Sequence, residues 1–167
     1  MPRSFYKGFN GELKGRNDFQ FQVGETYSTD TDDTWVWFHY AAYVSATLNY
    51  FGPDVRVCVV EPLGDTRFFN CSLDGYNKGY YTTNRFRVIR ELSRQEIFQA
   101  LDFEKCPFYM ILKLQPPYSY LLEHKNQIRG SRCMDIIHRD DLSYDERKSL
   151  LPKSQVRYLD VYYNSNS

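Results

Sequence analysis

The chain has 167 residues, with 21 basic and 21 acidic side chains, so its formal net charge is zero. That length suits one domain burying roughly two thirds of the surface its unfolded chain exposes. The cancelled charge leaves no net field to draw it onto nucleic acid or an anionic membrane. No stretch approaches the roughly 18 apolar residues of a membrane span, and no apolar segment of signal-peptide length follows Met1-Pro2-Arg3-Ser4. The expectation is a soluble intracellular protein, not secreted through a signal peptide.

The first strand is expected over Ser4 to Phe9, closed by a turn at Gly8-Phe9-Asn10-Gly11, and the second over Phe19 to Val23, whose alternation suits a half-buried strand. The polar run Ser28 to Thr34 reads as a loop leading into a bulky strand, Trp35-Val36-Trp37-Phe38. From Ala41 the spacing of Ala42, Ala46 and Leu48 predicts a short helix that stops at Gly52-Pro53. Asp54 to Glu61 reads as a buried strand, Pro62 to Asp65 as a turn, and Thr66 to Leu73 as its hairpin partner.

Asn84 to Leu92 alternates as another strand, and Ser93 with Glu96 forms a capping box that opens a helix from Arg94 to about Leu101. The near-continuous apolar run Cys106 to Leu114 reads as a central strand before the breaker Pro116-Pro117. Tyr118 to Gln127 is expected to be helical in part. A second capping box, Ser143 with Glu146, opens a helix that ends before Pro152, and Val156 to Tyr162 reads as a final strand. Alternating strands with few helices predict an α+β fold: a mainly antiparallel mixed sheet with two to four short helices. Residues 1–102 form its core, and 103–167 are read as an extension packed on that core in the same structural domain.

The apolar content is unusual in kind: 15 Tyr and 12 Phe accompany two Trp. Such rings carry large apolar area at low entropic cost and suit either an extensive contact surface or the interior of a β-rich domain. Cys58, Cys71, Cys106 and Cys133 never fall in a CxxC or CxxH spacing, so no zinc site is written locally, and they read as reduced, buried thiols. His39, His124 and His138 are equally scattered, which argues against a metal. No GxSxG, phosphate-binding loop or GxGxxG occurs.

A few residues remain as candidates. His39 lies between the aromatic strand and the helix, where side chains converge on clefts. Glu61 and Glu91 close strands and could project into one. Arg85 and Arg87 share a strand face while Arg90 points to the other, a pattern able to hold phosphate. The neutral charge and the lack of aromatic residues interleaved on that face argue against nucleic acid.

In chain order, Tyr6-Lys7-Gly8-Phe9, Phe21 to Tyr27 (FQVGETY), Phe38-His39, Leu48-Asn49-Tyr50-Phe51, Arg56 to Glu61, Gly64 and Val88 to Leu92 (VIREL) form blocks. Together they resemble a small domain of unknown function found in phage, bacterial and large DNA virus proteins, over about residues 5 to 92. Where such domains carry Gly before the Phe-His pair and a small residue with Cys after it, this chain has Trp37 and Tyr40, whose rings would fill a pocket beside the histidine. With the resemblance, the aromatic excess, the neutral charge, the missing catalytic constellation and the crowded Phe-His block lead to the expectation of a non-enzymatic viral or phage protein, in the host cytoplasm or the virion. It would be a minor virion or capsid-associated component acting through contacts with other proteins, without cofactor. Lys7, Trp35, Trp37, Tyr40, Arg85 and Arg87 are the binding candidates.

The block order is also similar in outline to ADP-ribosyltransferase folds. That likeness implies the alternative, an NAD-consuming enzyme modifying a host target. Lys7 or His39 would then contact NAD, Tyr50 would stack on nicotinamide, and Glu91 or Glu61 would orient the attacked ribose. Fold analogy alone carries no activity.

Overall fold

The computed structural model describes residues 4–15, 18–48, 52–70, 72–73, 76–77, 79–102 and 106–166. It divides into two compact units, Met1–Leu114 and Gln115–Ser167. The first is built on strands β1 (Phe5–Phe9), β2 (Thr26–Ser28), β3 (Phe38–Ala41), β4 (Arg56–Pro62), β5 (Thr66–Phe69), β8 (Tyr80–Thr83) and β9 (Arg85–Glu91). They form one seven-stranded sheet in the order β2-β9-β4-β1-β3-β8-β5, with every neighbouring pair antiparallel. Two further strands, β6 (Ser72–Leu73) and β7 (Tyr76–Asn77), pair with each other. The fold is α+β and mainly sheet.

Register explains the core. In β1, Phe5, Lys7 and Phe9 point to one side, and their partners across β4 are Val60, Cys58 and Arg56. On this side Phe9, Phe21, Tyr40, Cys58, Val60, Phe86 and Val88 form a buried cluster, with Phe5, Tyr27, Phe38 and Tyr81 packed against it. A bulge between Val59 and Val60 shifts the pairing with β9, so that Val60 faces Val88 while Cys58 faces Glu91. Helix α1 (Val44–Thr47) packs on β1 and β3.

Several expected elements take a different form. Phe19 to Val23 is not a strand: it holds one isolated bridge, between Lys14 and Gln20, outside the sheet. Gly24, at φ +93°, donates its N–H to Val88 O and turns the chain into β2 only at Thr26. The aromatic strand begins at Phe38, because Asp33 Oδ1 accepts the Trp35 N–H at 3.0 Å and holds residues 33–37 in turns. The helix after it starts at Val44 rather than Ala41, which is the last residue of β3; Asn49, Tyr50 and Phe51 lie outside the described residues.

The hairpin expected between β4 and Thr66 to Leu73 does not form. Both edges of β4 are taken by β1 and β9, and β5 pairs with β8 instead. Cys106 to Leu114 is helical, with α3 at Phe108–Leu112 and Pro107 at its N-cap. A continuous apolar run reads alike for a buried strand and a buried helix. The expected first capping box is present: Ser93 Oγ accepts from Glu96 N at 3.2 Å, Glu96 Oε2 accepts from Ser93 N at 2.7 Å, and α2 runs Arg94–Gln99.

The second unit is helical: α4 (Tyr118–Glu123), a 3-10 turn (Lys125–Gln127), α5 (Arg132–Ile137), α6 (Tyr144–Leu150) and α7 (Lys153–Asn166). Ser143 and Glu146 form the second expected capping box at the start of α6. The expected strand Val156 to Tyr162 lies inside α7. Its sheltered positions, Gln155, Val156, Leu159, Asp160 and Tyr162, follow helical spacing, and the polar Gln155 and Asp160 among them mask the period in the sequence. Tyr144 Oη donates to Asp160 at 2.5 Å, and Tyr118 and Ser149 hydroxyls meet at 2.9 Å. Arg139 holds Asp141 at 2.5 and 2.6 Å and the Pro116 carbonyl at 2.9 Å.

Among the described residues, Cys58, Cys106 and Cys133 are buried, whereas Cys71 lies outside them. Among the same residues no helix is long and apolar enough to cross a membrane, and no group of His, Cys, Asp and Glu could hold a metal.

Candidate functional site

Alternation along β1 forces Lys7 to the aromatic side of the sheet between Phe5 and Phe9. Its Nζ donates to the His39 carbonyl at 2.9 Å and sits 5.5, 5.7 and 6.0 Å from the ring centres of Phe9, Phe21 and Phe86. Among the described residues no carboxylate pairs with it. Burial disfavours the charged ammonium and brings the pKa from 10.5 to about 8. The ring faces offset part of that cost through cation–π attraction.

Across the sheet from Lys7 come Cys58 and then Glu91, all on one side. Glu91 is held by Arg56 through Nε at 2.7 Å and Nη2 at 2.5 Å. This bidentate grip lowers the carboxyl pKa of Glu91 and raises that of Arg56. Burial, with the Glu91 charge adding to it, pushes the Cys58 thiol up to about 12, so it stays protonated. Beside the ion pair lies a cleft of about 600 Å³ lined by Asp54, Arg56, Glu91, Ser93, Arg94 and Ile97.

Of the residues implied by the ADP-ribosyltransferase outline, Lys7 and Glu91 share a face of the sheet and His39 does not. His39 points to the side of the sheet opposite Lys7 and Glu91, and β1 and β4 lie between its strand and β9. Its ring stacks on Tyr80 at 5.2 Å. Glu61 is exposed opposite Arg87 in the register, and Tyr50 lies outside the described residues. Arg85 and Arg87 alternate with the buried Phe86 and stand exposed on β9. Arg85 lines a second, polar cleft of about 570 Å³ with Thr26, Ser28, Asp30, Asp65 and Asn84.

Trp37 and Tyr40 are buried. The Trp37 indole donates to Thr31 O at 2.8 Å with the Arg67 guanidinium 5.4 Å from its ring, and Tyr40 stacks on Tyr81 at 5.4 Å. Trp35, two residues before Trp37, is 64% exposed, Val36 60% and Phe68 57%. Phe68 belongs to β5 and Trp35 packs against that strand, whose outer edge is paired by no strand among the described residues. On one side of β5 a row of rings runs from Trp35 to Phe69 at 6.3 Å, to Tyr80 at 5.3 Å and on to His39. On the other side Phe68 leans on Tyr81 at 5.0 Å.

Sequence reasoning singled out Trp35 but missed Phe68, Phe69, Tyr80 and the partner role of Arg56. The signal for β5 was there in Thr66-Arg67-Phe68-Phe69, a short segment with strong β preference and a cation, as befits an edge. A domain of unknown function, DUF7666, matches residues 4–100, a span that takes in the whole seven-stranded sheet and α2. No curated protein matches the chain.

Proposed function

Because the chain belongs to DUF7666, a family of domains of unknown function, we propose its role from the site itself: a non-catalytic domain that docks a protein partner along β5. The exposure of Trp35 and Phe68 at an edge that no strand among the described residues pairs carries this reading. Large rings that keep much of their surface in water gain most when a partner covers them, and Trp is enriched among residues that dominate interface energy. An open edge adds a row of backbone donors and acceptors for an extended segment of the partner. The setting we assign is an assembly of viral or phage proteins, with the chain as a minor virion component, which rests on the block order of the sequence.

The experiment is a photo-crosslinking residue placed at position 35 in the cells or particles where the protein is made. One discrete adduct with a second protein, abolished by Phe68→Asp, supports the reading. An adduct that Phe68→Asp leaves unchanged, or no adduct at all, overturns it.

The cleft beside Glu91 favours the second reading, an NAD-consuming transferase acting on a host protein. Incubation of the purified protein with NAD tests it. Nicotinamide release that Glu91→Gln removes would replace the binding role with an enzymatic one.

A further inference from the structure

The outer edge of β5 carries a charge pattern of its own. The Asp65 N–H donates to Asn84 Oδ1 at 2.9 Å on the β8 side, where Asn84 follows Thr83, the register partner of Thr66. In an antiparallel strand the N–H and C=O of one residue point the same way, and those of the next point oppositely. Thr66 and Phe68 therefore direct theirs to the outer edge, which no strand among the described residues pairs. Side chains alternate as well. Phe68 meets Tyr81 on the side of the aromatic cluster, whereas Arg67 points with Phe69 to the side of His39, and Asp65 stands two residues before it. Among the described residues neither Asp65 nor Arg67 is in an ion pair.

We propose that β5 pairs antiparallel with β5 of a second copy of this chain, centred on Thr66, so that two sheets join into one. The pairing rests on the docking role proposed for β5 and names the partner. About Thr66 the triplet Asp65-Thr66-Arg67 is its own complement. Asp65 faces Arg67 of the second copy, Arg67 faces its Asp65, and the two Thr66 residues exchange backbone hydrogen bonds. Centring on Arg67 instead would set two guanidinium groups against each other. The zero net charge adds no repulsion between copies. Phe68, 57% exposed, then lies against the turn that precedes β5 in the second copy, and Trp35, beside Phe69, borders the seam. The other edge strand, β2, offers Thr26 and Ser28 in place of exposed rings, so copies stacked head to tail would leave Phe68 against polar groups.

Sedimentation equilibrium of the full chain tests this over roughly 10–300 µM, since a seam of this size falls among the weak interfaces. The wild type is expected to approach twice the mass of one chain as concentration rises. Asp65→Arg and Arg67→Asp should each weaken self-association at least about tenfold, because like charges then face each other twice. An equimolar mixture of the two variants should regain it, since each supplies the charge that the other lacks. A wild type that stays at the mass of one chain, single variants that associate as well as the wild type, or a mixture no heavier than either variant alone would each overturn the pairing. In those cases a crosslink from position 35 to a different protein, abolished by Phe68→Asp, would leave the docking role of β5 standing.

Discussion

The rings of Phe9, Phe21 and Phe86 are buried around Lys7, whereas Trp35 and Phe68 stand largely in water beside β5, yet both groups come from the same unit of the fold. Composition does not separate them; position in the sheet does. Phe9 and Phe86 sit in strands with neighbours on both edges, so alternation alone decides which side they face, and the cluster closes over that side. Phe68 sits in the last strand, where the covering residues run out, and Trp35 sits in a turn outside the ladder. Rings at the centre of this sheet are committed to stability, and those at its rim keep their surface in water.

The strongest way to break this contrast is Phe86→Ala. Removing a fully buried ring from the cluster is expected to cost about 3–5 kcal/mol, read as a lower midpoint in urea unfolding. A loss below about 1 kcal/mol would mean that the cluster is not the core.

Lys7→Met sharpens the contrast from the other side, since it replaces a cation facing the aromatic cluster with an apolar chain. The folded pKa of Lys7, about 8, lies below its unfolded value near 10.5, so the unfolded chain binds more protons between those limits. The wild type should therefore gain stability as pH rises from about 8 towards 10.5 and carry the full cost of the buried amine below that window. Lys7→Met should flatten this slope and stabilise the protein at pH 7 by about 1–3 kcal/mol. Urea midpoints at pH 7 and pH 9.5 check both statements, and parallel slopes for the two proteins would refute them.

The smallest expected effect on folding is that of Trp35→Ala. A ring this exposed should change stability by no more than about 0.5 kcal/mol while weakening the docking proposed along β5. Equal binding by Trp35→Ala and wild type would place the contact surface elsewhere.

Much of the site was legible in part. Lys7, Trp35 and Glu91 stood out as residues, but what each one meets was not written near them. Arg56 grips Glu91 across 35 positions, and the rings around Lys7 arrive from β9 and from the loop holding Phe21. Phe19 to Val23 had a strand's alternation, yet Gly24 and the Val88 carbonyl made it a loop that drops Phe21 into the core.

By itself the sequence determined the α+β class, the strands β1, β4 and β9, and both capping boxes, because alternation and side-chain caps act over a few residues. Only the tertiary structure decided that β5 joins β8, that residues 108–112 and 153–166 are helical, and that His39 and Glu91 face opposite sides of the sheet. Those outcomes depend on which strand edges are already taken and which faces find cover. Both are set by residues far apart in the chain, where local pattern carries no information.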